Sequence, residues 1–122
     1  MNNIVVVILG FREDIHHILA NLMVKAREYK LRHIDLLLLG DGYTIRHMVN
    51  KLRDVLLNNV ALGITIYMET DYEGAHKLIK EIISNKESFK RIVLIKGKTS
   101  WNDNPIVAEL KGAFEGKIEV HR

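Results

Sequence analysis

Arg91-Ile92-Val93-Leu94-Ile95-Lys96-Gly97-Lys98-Thr99-Ser100-Trp101-Asn102-Asp103-Asn104-Pro105 is the stretch on which the fold turns. It begins as a short apolar run with β-branched residues, the pattern of a strand covered on both faces. Gly97 breaks the run into a polar loop. Asn104 is a good helix N-cap, and Pro105 suits the first helical position. The order is therefore strand, loop, helix. In an open parallel sheet, ligands bind beyond the carboxyl ends of the strands. This loop, with its lysine, two hydroxyls, indole and amides, is the richest set of binding groups on that side.

The same alternation runs outward in both directions. Downstream, Ile106, Val107, Leu110, Ala113 and Phe114 form one face of a fourth helix that stops at Gly116, and Lys117 to His121 is a short last strand. Upstream, Ala75, Leu78, Ile79, Ile82 and Ile83 face inward from a third helix, with Thr70-Asp71 as its cap, and Leu62 to Met68 is the third strand. A second helix carries Ile45, Met48, Val49, Leu52, Val55 and Leu56 on one face and closes at Asn58-Asn59. Ile34 to Leu39 is the second strand, ended by Gly40-Asp41-Gly42. The first helix runs from about Arg12 to Lys30, with Ile15, Ile18, Leu19, Leu22, Ala26 and Tyr29 inward at helical spacing. Ile4 to Leu9 is the first strand, ended by Gly10.

Strands alternating with helices predict βαβ units, right-handed crossovers and a parallel sheet. Burial argues the strand order. The first, second and fourth strands are continuously apolar, as central strands are. The third and fifth alternate: Ile64, Ile66 and Met68 against Thr65, Tyr67 and Glu69, and Ile118 and Val120 against Lys117, Glu119 and His121. Placing the alternating strands at the edges gives the order 3-2-1-4-5, a Rossmann-like three-layer αβα sandwich in a single domain. A flavodoxin-like order would put the Leu-rich second strand at an edge. The switch point then lies between the first and fourth strands, which brings Gly10-Phe11-Arg12 beside Gly97-Lys98-Thr99-Ser100.

The composition narrows the function classes. The chain has 122 residues and a hydrophobic fraction of 48%, that of an ordinary globular core. No apolar run approaches the roughly 18 residues of a membrane span. Met1-Asn2-Asn3 lacks the basic start of a signal peptide. There is no cysteine, which excludes disulfides and thiol chemistry and fits a cytoplasmic protein. The net charge is +3 without a dense Lys/Arg block, so duplex nucleic acid is not the expected partner. A small polyanion needs only a local cationic spot.

Several motifs are absent. Gly97-Lys98-Thr99-Ser100 has the tail of a phosphate-binding P-loop, but Ile92 stands where the motif needs its first glycine. A single glycine, Gly10, follows the first strand, so a dinucleotide site is not expected. His16 and His17 are adjacent and leave a helix in different directions; no metal site or cofactor is predicted. What remains is a phosphate-holding loop of exposed amides, Lys98, Thr99 and Ser100, or a solvated loop with a glycine turn. Arg12 pairs with a phosphate or is simply exposed. Phe11 stacks a base or packs at the helix entry, while Trp101 and Asn102 lie in the polar loop as contacts. Asp41, with Gly42 in the second loop, caps the second helix or accepts a ribose hydroxyl.

Taken together, the chain resembles the CARF domain, the CRISPR-associated Rossmann fold that senses cyclic oligoadenylate in antiviral defence. The resemblance rests on Gly10-Phe11 with Glu13-Asp14-Ile15, on Thr70-Asp71-Tyr72-Glu73-Gly74-Ala75, and on the glycine-bearing loop after the fourth strand. It implies a homodimer that clasps a ring-shaped ligand at the carboxyl ends of its sheets. By position the contacts are Gly10, Phe11, Arg12, Gly97, Lys98, Thr99 and Ser100. The family often shows an arginine after the glycines of this loop, where this chain has Lys98. Nothing follows the fifth strand, so the expected roles are a ring nuclease, a ligand sponge, or a domain of a longer protein. As a ring nuclease, Lys98 and Ser100 are the expected catalytic residues. The alternatives are a mononucleotide- or phosphate-binding Rossmann-like protein and a non-catalytic interaction module.

Overall fold

Ile4 to Leu9 are all buried, none more than 4% exposed. Such a run is the pattern of a strand covered on both faces, and these residues do form a strand. The structure, a computed structural model, describes residues 3–59 and 62–122. Along the chain the elements are β1 (Asn3–Leu9), α1 (Ile15–Glu28), β2 (His33–Leu39), α2 (Gly42–Leu57) and β3 (Gly63–Glu69). They continue with α3 (Tyr72–Ser84), β4 (Phe89–Lys96), α4 (Pro105–Ala113) and β5 (Ile118–His121). All neighbouring strands pair in parallel, in the order β3-β2-β1-β4-β5. Val6 pairs with Leu36 on one side and Val93 on the other, so β1 is the centre.

The period of two divides the core. Val6 and Ile8 pack with Ile15 and Leu19 of α1 and Met48 and Leu52 of α2. Val5, Val7 and Leu9 pack with Ala75 and Ile79 of α3 and Leu110 and Phe114 of α4. This is the expected three-layer sandwich. Each of the larger side chains contributes roughly 1.5–3 kcal/mol when fully buried. Among the described residues no helix is long and apolar enough to cross a membrane.

Three local features depart from the sequence reading, each for a visible reason. The first helix begins at Ile15, not Arg12, because Asp14 gives its carboxylate to Arg12 and makes no side-chain cap. It ends with Lys30 in the left-handed region at φ 58°, and Tyr29 at its C-cap is 59% exposed. Asp71 takes the N-cap position of α3 in an extended conformation, but its side chain makes no capping bond. Asp41 and Asn104 do cap, accepting from Thr44 N at 2.7 Å and Ile106 N at 3.0 Å. The edge strand β3 is more open than alternation implies, with Ile66, Tyr67 and Met68 all exposed.

Candidate functional site

β1 and β4 lie side by side, so the loops that leave them must meet. They meet as backbone on backbone. Gly97 N–H donates to Leu9 O at 2.6 Å, Lys98 N–H donates to Phe11 O at 3.1 Å, and Phe11 and Lys98 form an antiparallel bridge. Gly10 has φ +75°, which favours glycine. A methyl on Gly97 would sit 2.5 Å from the carbonyl carbon and oxygen of Gly10. The two glycines are thus required by close approach, and they shut the switch-point crevice instead of lining an opening.

On the α1 side of this seam, Phe11 is half-buried and meets His47 edge-on at 5.7 Å, and Tyr43 meets the same imidazole at 4.4 Å. Arg12 donates to both carboxylate oxygens of Asp14, at 2.9 and 3.0 Å, and to Lys96 O at 3.4 Å. That guanidinium holds Asp14 below the usual aspartate range, chiefly by hydrogen bonding. Asp41 is held low by the Thr44 amide. Gly42 is the exposed first residue of α2.

On the α4 side, residues Ser100–Asp103 coil into a short 3-10 helix where the sequence predicts an irregular loop. Thr99 starts it, its Oγ1 accepting from Trp101 N at 3.3 Å. Asn102 Nδ2 donates to Gly97 O at 2.8 Å, while its buried Oδ1 has no partner among the described residues. Trp101 packs against the core and meets Tyr72 edge-on at 6.2 Å. Tyr72 OH donates to Asn104 Oδ1. Beneath these two rings lies an apolar cavity of only about 10 Å³, bounded by Leu9, Leu39, Ala75 and Ile106. That is room for at most about one water.

So the eleven expected residues do gather at one end of the sheet, but with unequal freedom. Arg12, Asp41, Thr99 and Asn102 are engaged in local structure, Phe11 and Trp101 are half packed, and Gly10 and Gly97 form the seam. Lys98 and Ser100 point outward and are exposed, and neither side chain has a partner among the described residues.

Sequence reasoning missed three further contributors. Tyr43 and Tyr72 are 71% and 44% exposed and flank the seam on opposite sides. Lys111 is held below the usual lysine range first by hydrogen bonding with Lys96, then by burial, then by the charges of Lys96 and Arg122. Lys96, Lys111 and Arg122 therefore bring cationic side chains together at the carboxyl ends of β4 and β5. Lys96 immediately precedes Gly97, and that adjacency was the available signal.

No protein-family model and no curated protein matches the sequence. The fold is similar to the crystal structure of a hypothetical protein from Sulfolobus tokodaii, at 13% identity and a TM-score of 0.62, over 98% of this chain and 94% of that one. At this identity the likeness shows a shared α/β architecture across the whole chain.

Proposed function

We propose that the chain is a cytoplasmic homodimeric receptor for cyclic oligoadenylate, which it binds across the dimer interface and cleaves slowly. One observation carries this reading: the Phe11–Lys98 bridge fuses two loops into a single rim, with the unpaired Lys98 and Ser100 on its outer side. Among the described residues the seam is closed where Gly97 lies against the Gly10 carbonyl. A rim instead suits a large flat ligand held between two copies, and a two-fold axis doubles the cations around it. Tyr43 and Tyr72 offer exposed rings for adenine stacking, a contact typically contributing about 1–3 kcal/mol per base.

Cleavage needs little apparatus. A ribose 2′ oxygen attacks its own phosphorus, the bond from phosphorus to the 5′ oxygen breaks, and the 2′ proton passes through solvent to that oxygen. The products are a 2′,3′-cyclic phosphate and a 5′ hydroxyl. Holding the in-line geometry supplies much of the rate. Lys98 stabilises charge on the phosphoryl oxygens and Ser100 donates a hydrogen bond. The pathway draws on no metal. It is slow, because each well-placed acid or base contributes about 10²- to 10⁴-fold and no such pair is engaged.

The test is cyclic tetra- and hexa-adenylate incubated with excess protein in EDTA, with light scattering before and after. The expected result is a dimer and linear products with 2′,3′-cyclic phosphate ends. Binding without product leaves a sponge or sensor. A monomer in both conditions, with neither binding nor product, overturns the reading in favour of the mononucleotide alternative.

A further inference from the structure

At the opposite end of the sheet, a cleft of about 330 Å³ opens between the last turns of α1 and the starts of β4 and β5. Its floor is apolar, built from the buried Ile4, Leu22, Ala26 and Val93, with Tyr29 as one wall. Its rim carries Lys25, Lys90, Arg91 and Lys117, and among the described residues no acidic side chain lines it. Arg91 faces Glu119 at 3.7 Å, but that carboxylate is also hydrogen bonded to His121 at 2.7 Å.

A backbone irregularity builds this rim. Asn3 pairs with Phe89 but Ile4 pairs with Arg91, so Lys90 is an extra residue in β4. Strict alternation would send Lys90 and Arg91 to opposite faces. The bulge re-aims Lys90, whose Nζ lies 4.9 Å from the centre of the Tyr29 ring, and both cations line one cleft. A helix C-terminus here would ordinarily repel an anion. Its carbonyls are partly spent: Leu31 N–H donates to Ala26 O at 2.8 Å and Lys30 N–H to Arg27 O at 3.0 Å.

An apolar floor under converging cations selects for both properties in one molecule. The volume lies at the low end of the roughly 300–1,000 Å³ typical of ligand pockets. We propose that this cleft is a second ligand site, for a small amphipathic anion: an apolar body bearing a carboxylate or a phosphate monoester. It stands independently of the rim on the far side.

The experiment titrates octanoate and octyl phosphate, below their micelle-forming concentrations, into ¹⁵N-labelled protein. The expected result is saturable amide shifts at residues 22–31, 90–93 and 116–117, the segments that bound the cleft. Lys90→Glu, and separately Lys25→Glu, should weaken binding about tenfold. Lys77→Glu, on the exposed surface of α3, should leave it unchanged. Tighter octyl phosphate identifies a phosphate monoester and tighter octanoate a carboxylate; either supports the class. Octanol binding as well as octanoate overturns the anion requirement, and inorganic phosphate binding as well as octyl phosphate overturns the apolar one. No saturable shift, or shifts that both charge reversals leave untouched, overturns the site.

Discussion

The carboxyl end of the sheet is crowded with polar side chains and has almost no cavity. The amino end has an open cleft with an apolar floor and a cationic rim. At the carboxyl end Gly97 lies against Gly10 and the cavity under the rings is about 10 Å³. At the amino end the cleft is about 330 Å³ and is lined by four cations. The difference teaches that a loop rich in binding groups need not enclose a ligand. Such groups can spend themselves on one another, as Asn102 does on Gly97 and Arg12 on Asp14, and leave a surface.

The sharpest way to break this contrast is at the seam. Gly97→Ala drives a methyl into the Gly10 carbonyl, and Phe11 O is only 2.7 Å away. It should cost about 3 kcal/mol, the upper part of the usual overpacking range, read as a lower urea midpoint. Gly112→Ala is the control, since a methyl there meets nothing within 4 Å. It should instead stabilise α4 by about 0.5–1 kcal/mol. Equal effects at the two positions would mean the seam is not tight.

Next in size is the charge on the rim. Lys98→Ala should weaken cyclic oligoadenylate binding by about ten- to a hundredfold, the equivalent of one charged hydrogen bond. Lys51→Ala and Lys80→Ala should change it little, because each lysine already pairs on a helix surface, with Glu13 and Glu109. Calorimetry decides, and equal losses at all three would indicate diffuse electrostatics.

Smaller still is the α4 cap. Asn104→Ala removes the bond to Ile106 N and the acceptor of Tyr72 OH, and should cost about 1 kcal/mol of stability. The smallest effect is acid dependence. Asp14 and Asp41 both ionise at lower pH in the folded chain than when unfolded. The stability they confer is therefore complete above the ordinary aspartate range, about pH 4, and is lost as pH falls through their folded pKa values. Asp14→Asn should flatten part of that decline in a pH series of urea midpoints.

The strand order is legible in the sequence, because burial on both faces leaves a continuous apolar run and an edge leaves alternation. The positions of Gly10, Phe11, Lys98 and Thr99 followed from that order alone. What could not be read was who partners whom. Arg12 reads equally as a phosphate ligand or a local pair until Asp14 is seen to take its Nε and Nη2 and the Lys96 carbonyl its Nη1. The bulge at Lys90 leaves no mark in hydropathy, so the cleft it builds was invisible. Tyr29, read as an inward helix residue, is in fact a wall of that cleft, because the helix has already turned into its cap there.

We propose different ligands for the two ends of the sheet, a cyclic oligonucleotide on the rim and an amphipathic anion in the cleft. Amide shifts of ¹⁵N-labelled protein titrated with cyclic tetra- and hexa-adenylate test this most directly. The expected result is saturable shifts at Gly10, Phe11, Arg12 and from Gly97 to Asn102, with Lys25, Lys90 and Lys117 unmoved. Shifts confined to those three lysines and their neighbours, or none anywhere, would contradict it.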